Sequence, residues 1–256
     1  MNIVIIGSGN IATFYGVRFK EAGHSIVQVL SPNPEHALAL AQRLECSAIH
    51  DYSSLNYDAD LYVLGVPDNA LYPLSETLRL PSKYVLYAAG AVPLSVLSAI
   101  SEHVICLWCL FSVQKNAFPE QRQFPVVYNT LVPNDATLAK QLASLLSDVQ
   151  YALNDHQKAK THLTAVFVNN FTNHLYAIAH QLLKESEIDF NLLMPIILDT
   201  AQRIQHTNPA LLQTGPAVRN DTHTLNEQAI QLTEHPHYQA VYRALSDSIR
   251  HMYGFV

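Results

Sequence analysis

Short runs of β-branched and apolar residues recur through the first part of the chain: Ile3-Val4-Ile5-Ile6, Ser25 to Leu30, Leu61 to Leu64, Tyr84 to Tyr87, Val104 to Leu110 and Pro125 to Tyr128. Helical spacing fills the intervals, and this alternation predicts repeated βα units on a parallel sheet. The runs are continuous rather than alternating, as strands covered on both faces require. After Asn154 no such run occurs and the apolar residues fall three and four apart. Helix starts are predicted there at Asn208-Pro209, at His235-Pro236 and behind a capping Asp221. The expectation is an α/β chain: a doubly wound, mostly parallel sheet over residues 1–153, then an all-helical domain over 154–256. No Gly/Ser linker or low-complexity tract separates them, so the join is expected to be a helix packed on the sheet.

Six of the eight glycines lie in the first 90 residues, and two of them shape the turn Gly7-Ser8-Gly9-Asn10-Ile11-Ala12 between the first strand and the first helix. This is G-x-G-x-x-A in its required setting. The first Gly permits the tight turn, the second lets backbone approach a pyrophosphate, and the small Ala12 lets helix and strand pack closely. Free N–H groups and the helix macrodipole then favour phosphate. An acid at the end of the second strand would bind the adenine ribose of NAD; the residues here are Leu30-Ser31-Pro32-Asn33. The missing carboxylate favours NADP through Ser31 and Asn33, although no Arg accompanies them and NAD is not excluded. Val66-Pro67-Asp68 and Ala88-Ala89-Gly90 leave later strands at the same edge and are further candidate cofactor contacts.

Charged residues make up only 14% of the 256 residues against 49% hydrophobic, which suggests extensive burial between subunits. The formal charge of −6 and the absence of any basic run disfavour nucleic acid and anionic membrane as partners. No apolar stretch reaches spanning length and the N-terminus lacks the basic region of a signal peptide, so a cytoplasmic location is expected. Three cysteines suit a reducing compartment. Cys106-Leu107-Trp108-Cys109 has redox or zinc spacing, but within a strand these cysteines point to opposite faces, so no metal is expected there. His235-Pro236-His237 reads as a helix start rather than a metal site.

From Thr161 to Leu183 there is no Asp, Glu, Lys or Arg. Leu163, Phe167, Phe171, Leu175, Ile178 and Leu182 form an apolar stripe. His162, Asn169, Asn173, Tyr176 and His180 fall opposite it, within an arc of about 60° at a uniform step of about 100° per residue. Such an uncharged polar face suits a domain or subunit interface, or a substrate cleft.

A Rossmann motif followed by a long charge-poor helix resembles the group of 6-phosphogluconate dehydrogenase, 3-hydroxyacid dehydrogenase and pyrroline-5-carboxylate reductase. Within that group the chain is similar to a bacterial family of Rossmann-like, deazaflavin-dependent-NADP-oxidoreductase-like proteins whose C-terminal domain has no assigned function. His162 to Phe171 and Gln213 to Asp221 carry the likeness, which spans the chain. It implies a helical domain like the C-terminal domain of 6-phosphogluconate dehydrogenase, a homodimer through that domain, and a small-molecule substrate reached by hydride transfer. His162 and Asn169 match outer positions of the related catalytic constellation, whose central lysine is here Ala165. Loss of that lysine weighs against alcohol oxidation and favours imine reduction, since an iminium already carries positive charge. A lysine-independent hydroxyacid dehydrogenase and a non-catalytic NADP sensor or scaffold are the alternatives. Asn173 and Arg219 are candidate substrate contacts, Arg219 either clamping a carboxylate or phosphate or pairing with Asp221.

Overall fold

In the computed structural model, which describes residues 1–119 and 122–255, alternate residues of single strands feed two different cores. In β1 (Asn2–Ile6), Ile3 and Ile5 face one core while Val4 and Ile6 face the other. After it come β2 (Ser25–Leu30), β3 (Ser47–Ile49), β4 (Leu61–Leu64), β5 (Tyr84–Tyr87), β6 (His103–Cys109), β7 (Pro125–Thr130) and β8 (Val149–Ala152). They form one sheet in the order β3-β2-β1-β4-β5-β6-β7-β8. Neighbouring pairs are parallel except β6 with β7. The order reverses at β1, which pairs with β2 on one side and β4 on the other; this switch point opens the crevice where such sheets bind ligands.

The six apolar runs become β1, β2 and β4 to β7, with ends within two residues of the sequence reading. Helices α1 (Asn10–Glu21), α2 (Pro34–Leu44), α3 (Asp68–Thr77), α4 (Ala136–Leu146) and α5 (Asp155–Ala165) complete the first part. Phe14, Tyr15 and Phe19 of α1 and Leu40 and Leu44 of α2 seal the first core, and Leu71 and Leu74 of α3 the second. Capping follows local chemistry: the Asn33 side chain accepts from His36 N–H at 3.0 Å to start α2, and Asn154 and Gln157 form a reciprocal capping box at α5.

The chain divides into two compact units, Met1–Val168 and Asn169–Val256, so α5 belongs with the sheet. The second unit is helical: α6 (Thr172–Glu185), α7 (Met194–Arg203), α8 (Thr222–Gln231) and α9 (Pro236–Met252). His235 N-caps α9 and pairs with Glu185 at 2.9 Å, so the His-Pro-His sequence is a helix start. Among the described residues of this unit only Ala217 and Ala229 are buried, while Leu192, Ile196, Leu198, Leu211 and Ile230 are exposed.

Strand β6 separates its two cysteines as the alternation requires. Cys106 lies in one core with Val104 and Trp108, and Cys109 in the other with Ile105 and Leu107. No group of potential metal ligands occurs among the described residues. Burial pushes the Cys106 thiol up to about 11 and the Cys109 thiol up to about 12, and half-burial takes Cys46 up to about 11. All three are therefore thiols, not thiolates, near neutrality. In a thiol titration at pH 8 the native protein should react slowly, and denatured protein should release three rapidly reacting equivalents. One fast equivalent in the native state would contradict this burial.

Candidate functional site

The glycine-rich turn is fixed by two close approaches. Gly7 has φ +116°, and a Cβ there would stand 2.3 Å from the Gly65 carbonyl oxygen at the end of β4. A Cβ on Gly65 would in turn meet Ala12 Cβ at 2.6 Å, so a side chain larger than methyl at position 12 would crowd β4 away. Gly7 N–H donates to Leu30 O at 2.7 Å and Gly65 N–H to Ile6 O at 2.8 Å, tying the turn to both neighbouring strands. Around Gly9, the N-cap of α1, a Cβ would meet nothing within 4 Å. The first turn of α1 carries no acidic residue. Its unpaired N–H groups thus face open space under uncompensated positive potential, which fits a dinucleotide pyrophosphate.

Of the candidates at the end of β2, Ser31 is buried and its hydroxyl meets the Ser8 hydroxyl at 2.8 Å, linking the turn to β2. Asn33 is exposed, but its carbonyl oxygen caps α2, which leaves its amide N–H2 for a ligand. Asn10 and Ile11 begin α1, with Asn10 exposed. Val66, Pro67 and Asp68 run from β4 into α3, with Asp68 exposed in its first turn.

His162 belongs to the first unit; Asn169, Asn173 and Arg219 belong to the second. The helical run from Asp155 to Glu185 contains a π-helical segment, Val166–Phe171. The uniform 100° step therefore fails between His162 and Asn173, because π-helix carries more residues per turn. The sequence pattern could not show this, since an extra residue in a turn leaves no compositional mark. Arg219 is exposed in a short turn; it forms no salt bridge within 4.0 Å among the described residues, but its charge acts on Asp221. Asp221 caps α8 through Thr224 N–H at 3.1 Å and the Thr224 hydroxyl at 2.8 Å, and these bonds, helped by the Arg219 charge, hold its carboxyl below the usual range.

At the ends of β5 and β6 two predicted features, His162 and the Gly90 loop, meet Trp108. The His162 ring lies 5.4 Å from the Trp108 ring, and a Cβ on Gly90 would stand 2.7 Å from both His162 Cδ2 and the indole. Only a hydrogen at position 90 lets the Ala88-Ala89-Gly90 loop, β6 and α5 close together. The imidazole is half-buried at the sheet edge that also carries the glycine-rich turn.

One turn earlier on α5 lies Lys158, which the sequence reading passed over. It is 1% exposed, and its ammonium donates to Val92 O at 2.6 Å and Tyr87 Oη at 2.8 Å, with Asp155 Oδ1 at 3.2 Å and Cys106 Sγ at 3.6 Å. Asp155 also accepts from Leu94 N–H at 3.0 Å, and Tyr87 donates to Val92 O at 2.8 Å. The segment 87–94 that carries Gly90 is thus fastened to α5 by a buried charge with its partners in place. Burial first, and the Cys106 sulfur beside it, push the Tyr87 hydroxyl far above the usual phenol range. Nothing in sequence spacing marks this lysine, because all its partners but Asp155 come from two distant segments, 87–92 and β6. Lys158→Ala should lower stability by about 2–4 kcal/mol, from a cavity plus the loss of the charge-assisted bonds to Val92 O and Tyr87 Oη, with Lys158→Met costing less. Equal urea midpoints for Lys158→Ala and wild type would contradict this account.

Residues 2–87 match the family model described as NADP oxidoreductase, coenzyme F420-dependent, and residues 126–249 match a domain of unknown function, DUF2520. No curated protein matches the chain. Among solved structures, a "putative NADP oxidoreductase" from Bacteroides fragilis is 32% identical, with 98% of each chain covered and a TM-score of 0.88. A 1-pyrroline-5-carboxylate reductase from Streptococcus pyogenes (13% identity, 98% of each chain, TM-score 0.62) shares the fold. So does an imine reductase from Streptomyces aurantiacus (12% identity, 98% of this chain and 94% of that one, TM-score 0.69). No helix among the described residues is long and apolar enough to cross a membrane. The glycine-rich turn, the sheet order and the Bacteroides relative together place the chain in the family that joins a Rossmann-type NADP-oxidoreductase domain to the DUF2520 domain.

Proposed function

We propose that the protein is an NADP-dependent oxidoreductase acting on a small imine or carbonyl compound, with imines the favoured class. The observation that carries the reading is the placement of His162 against Trp108 and the Gly90 loop, at the strand edge that also bears the open cradle at Gly9. The bound nicotinamide would supply hydride to the substrate carbon. His162 meets the reacting group from α5, where an imidazole can hold or pass the proton that the substrate nitrogen takes up. Trp108 excludes water from one side of it. In the helical unit, Asn169, Asn173 and Arg219 are the proposed polar contacts for substrate, Arg219 through a carboxylate or phosphate. Ala165 offers no ammonium to polarise an alcohol or carbonyl oxygen, which supports imine over alcohol chemistry.

The same reading includes a homodimer built on the helical unit. Folded helices need an apolar face to bury, yet α6, α7 and α9 hold no buried residue, and Leu175, Ile196, Leu198 and Leu245 on them are exposed. A second copy of the same unit is the occupant that the low charge content suits.

NADPH should bind with micromolar affinity by calorimetry, and Gly9→Asp should abolish binding by setting bulk and negative charge where the phosphates lie. Oxidation of NADPH on addition of a cyclic imine, lost in His162→Ala with NADPH binding retained, would support the catalytic assignment. Tight NADPH binding without turnover of any imine or ketone would favour the sensor. Light scattering at high micromolar concentration should give roughly twice the 28.5 kDa chain mass, and a monomer mass would remove the dimer.

A further inference from the structure

Residues 115–119, which follow β6, lie along one stripe of α1. Asn10, Phe14 and Arg18 stand four apart on that helix and so share a face. Asn10 Oδ1 accepts from Lys115 N–H at 3.2 Å, the Phe14 ring meets Phe118 edge-on at 5.2 Å, and Arg18 donates to Pro119 O at 3.1 Å. From α2, Arg43 donates to Lys115 O at 2.9 Å and sets its guanidinium 5.1 Å from the centre of the Phe118 ring. Gln114 and Ala117 close a tight turn around Lys115, with Ala117 N–H donating to Gln114 O at 3.1 Å. Both backbone polar groups of Lys115 are therefore held, one from each helix.

Its side chain is treated differently. Lys115 is exposed, and no carboxylate of the described residues pairs with its ammonium, whereas Arg18 pairs with Glu21 and Lys20 with Glu45. The tether point, Asn10, is the residue after Gly9, at the mouth of the cradle. A lysine side chain reaches roughly 6 Å from its Cα, enough to bring an ammonium held at this point to the space in front of the α1 N-terminus.

We infer that Lys115 is a cofactor-binding residue whose ammonium pairs with the pyrophosphate of the dinucleotide, presented by a turn that Asn10 and Arg43 hold in place. This rests on the dinucleotide reading of the cradle. The pyrophosphate is the partner, rather than a phosphate on the adenosine ribose, because the tether lies on the first residue of α1 and the ribose end belongs beside Ser31 and Asn33 at β2. Holding the backbone in advance removes part of the ordering cost of the contact.

The test is calorimetry with NADPH and, separately, NADH on wild type, Lys115→Ala and Lys115→Arg. Because Lys115 is exposed, both variants should keep the wild-type melting temperature. Lys115→Ala should weaken both dinucleotides by about the same factor, about tenfold at low salt and less at high salt, as loss of one charge-assisted contact requires. Lys115→Arg should restore most of the affinity. Unchanged affinity in Lys115→Ala would overturn the assignment, and so would a loss confined to NADPH, which would put the charge on the ribose phosphate. Failure of the wild type to bind either dinucleotide would overturn the cradle reading and this one with it; binding by the wild type with no effect at Lys115 would overturn this one alone.

Discussion

Everything at the cofactor edge depends on how closely α1 approaches the end of β4. Gly7, Gly65 and Ala12 meet there with no room for another carbon atom. That contact sets the depth at which the helix N-terminus sits against the sheet and leaves Gly9 facing open space. It also fixes the stripe of α1 on which the 115–119 segment lies. Two backbone hydrogen bonds, from Gly7 to β2 and from Gly65 to β1, hold the three strands of the switch point in step. A methyl group at either glycine would push against backbone carbonyl or helix rather than a yielding side chain, so relief would have to come from moving a strand.

The two units differ in how they meet the hydrophobic effect. The first satisfies it internally, sending alternate residues of one sheet into two cores. The second has strong helix signals and good caps, at Asp221 and Asn208 for example, but almost nothing buried. Local propensity is sufficient to start those helices and insufficient to keep them, because short isolated helices are marginal in water.

The sequence was most legible where one local rule controls the outcome. Continuous apolar runs located β1, β2 and β4 to β7, and the strand-turn-helix order located the glycine-rich turn. The short edge strands β3 and β8 were not legible, since Ser47–Ile49 and Val149–Ala152 carry too few apolar residues to stand out from loops. The candidate site was readable in part. Gly90 and His162 could be singled out separately, but their meeting over Trp108 is a tertiary fact. Lys158 escaped for the same reason, and so did the tethering of Lys115 by residues from two helices. The π-helical segment escaped because the pattern was read at a constant angular step that the backbone does not keep.

The fastening of segment 87–94 to α5 also bears on how such a chain can change over generations. Tyr87, Cys106 and Lys158 are buried together, and Asp155, 35% exposed, pairs with the lysine from the rim. Replacing Tyr87 or Lys158 alone takes a hydrogen-bond partner from a buried polar group, while replacing the set by apolar residues of similar volume need carry little penalty. The four positions are therefore expected to be inherited or lost together. A descendant that kept the lysine but not the tyrosine would sit in a fitness valley, so the cluster marks a lineage more sharply than the glycine-rich turn, which unrelated dinucleotide-binding proteins share.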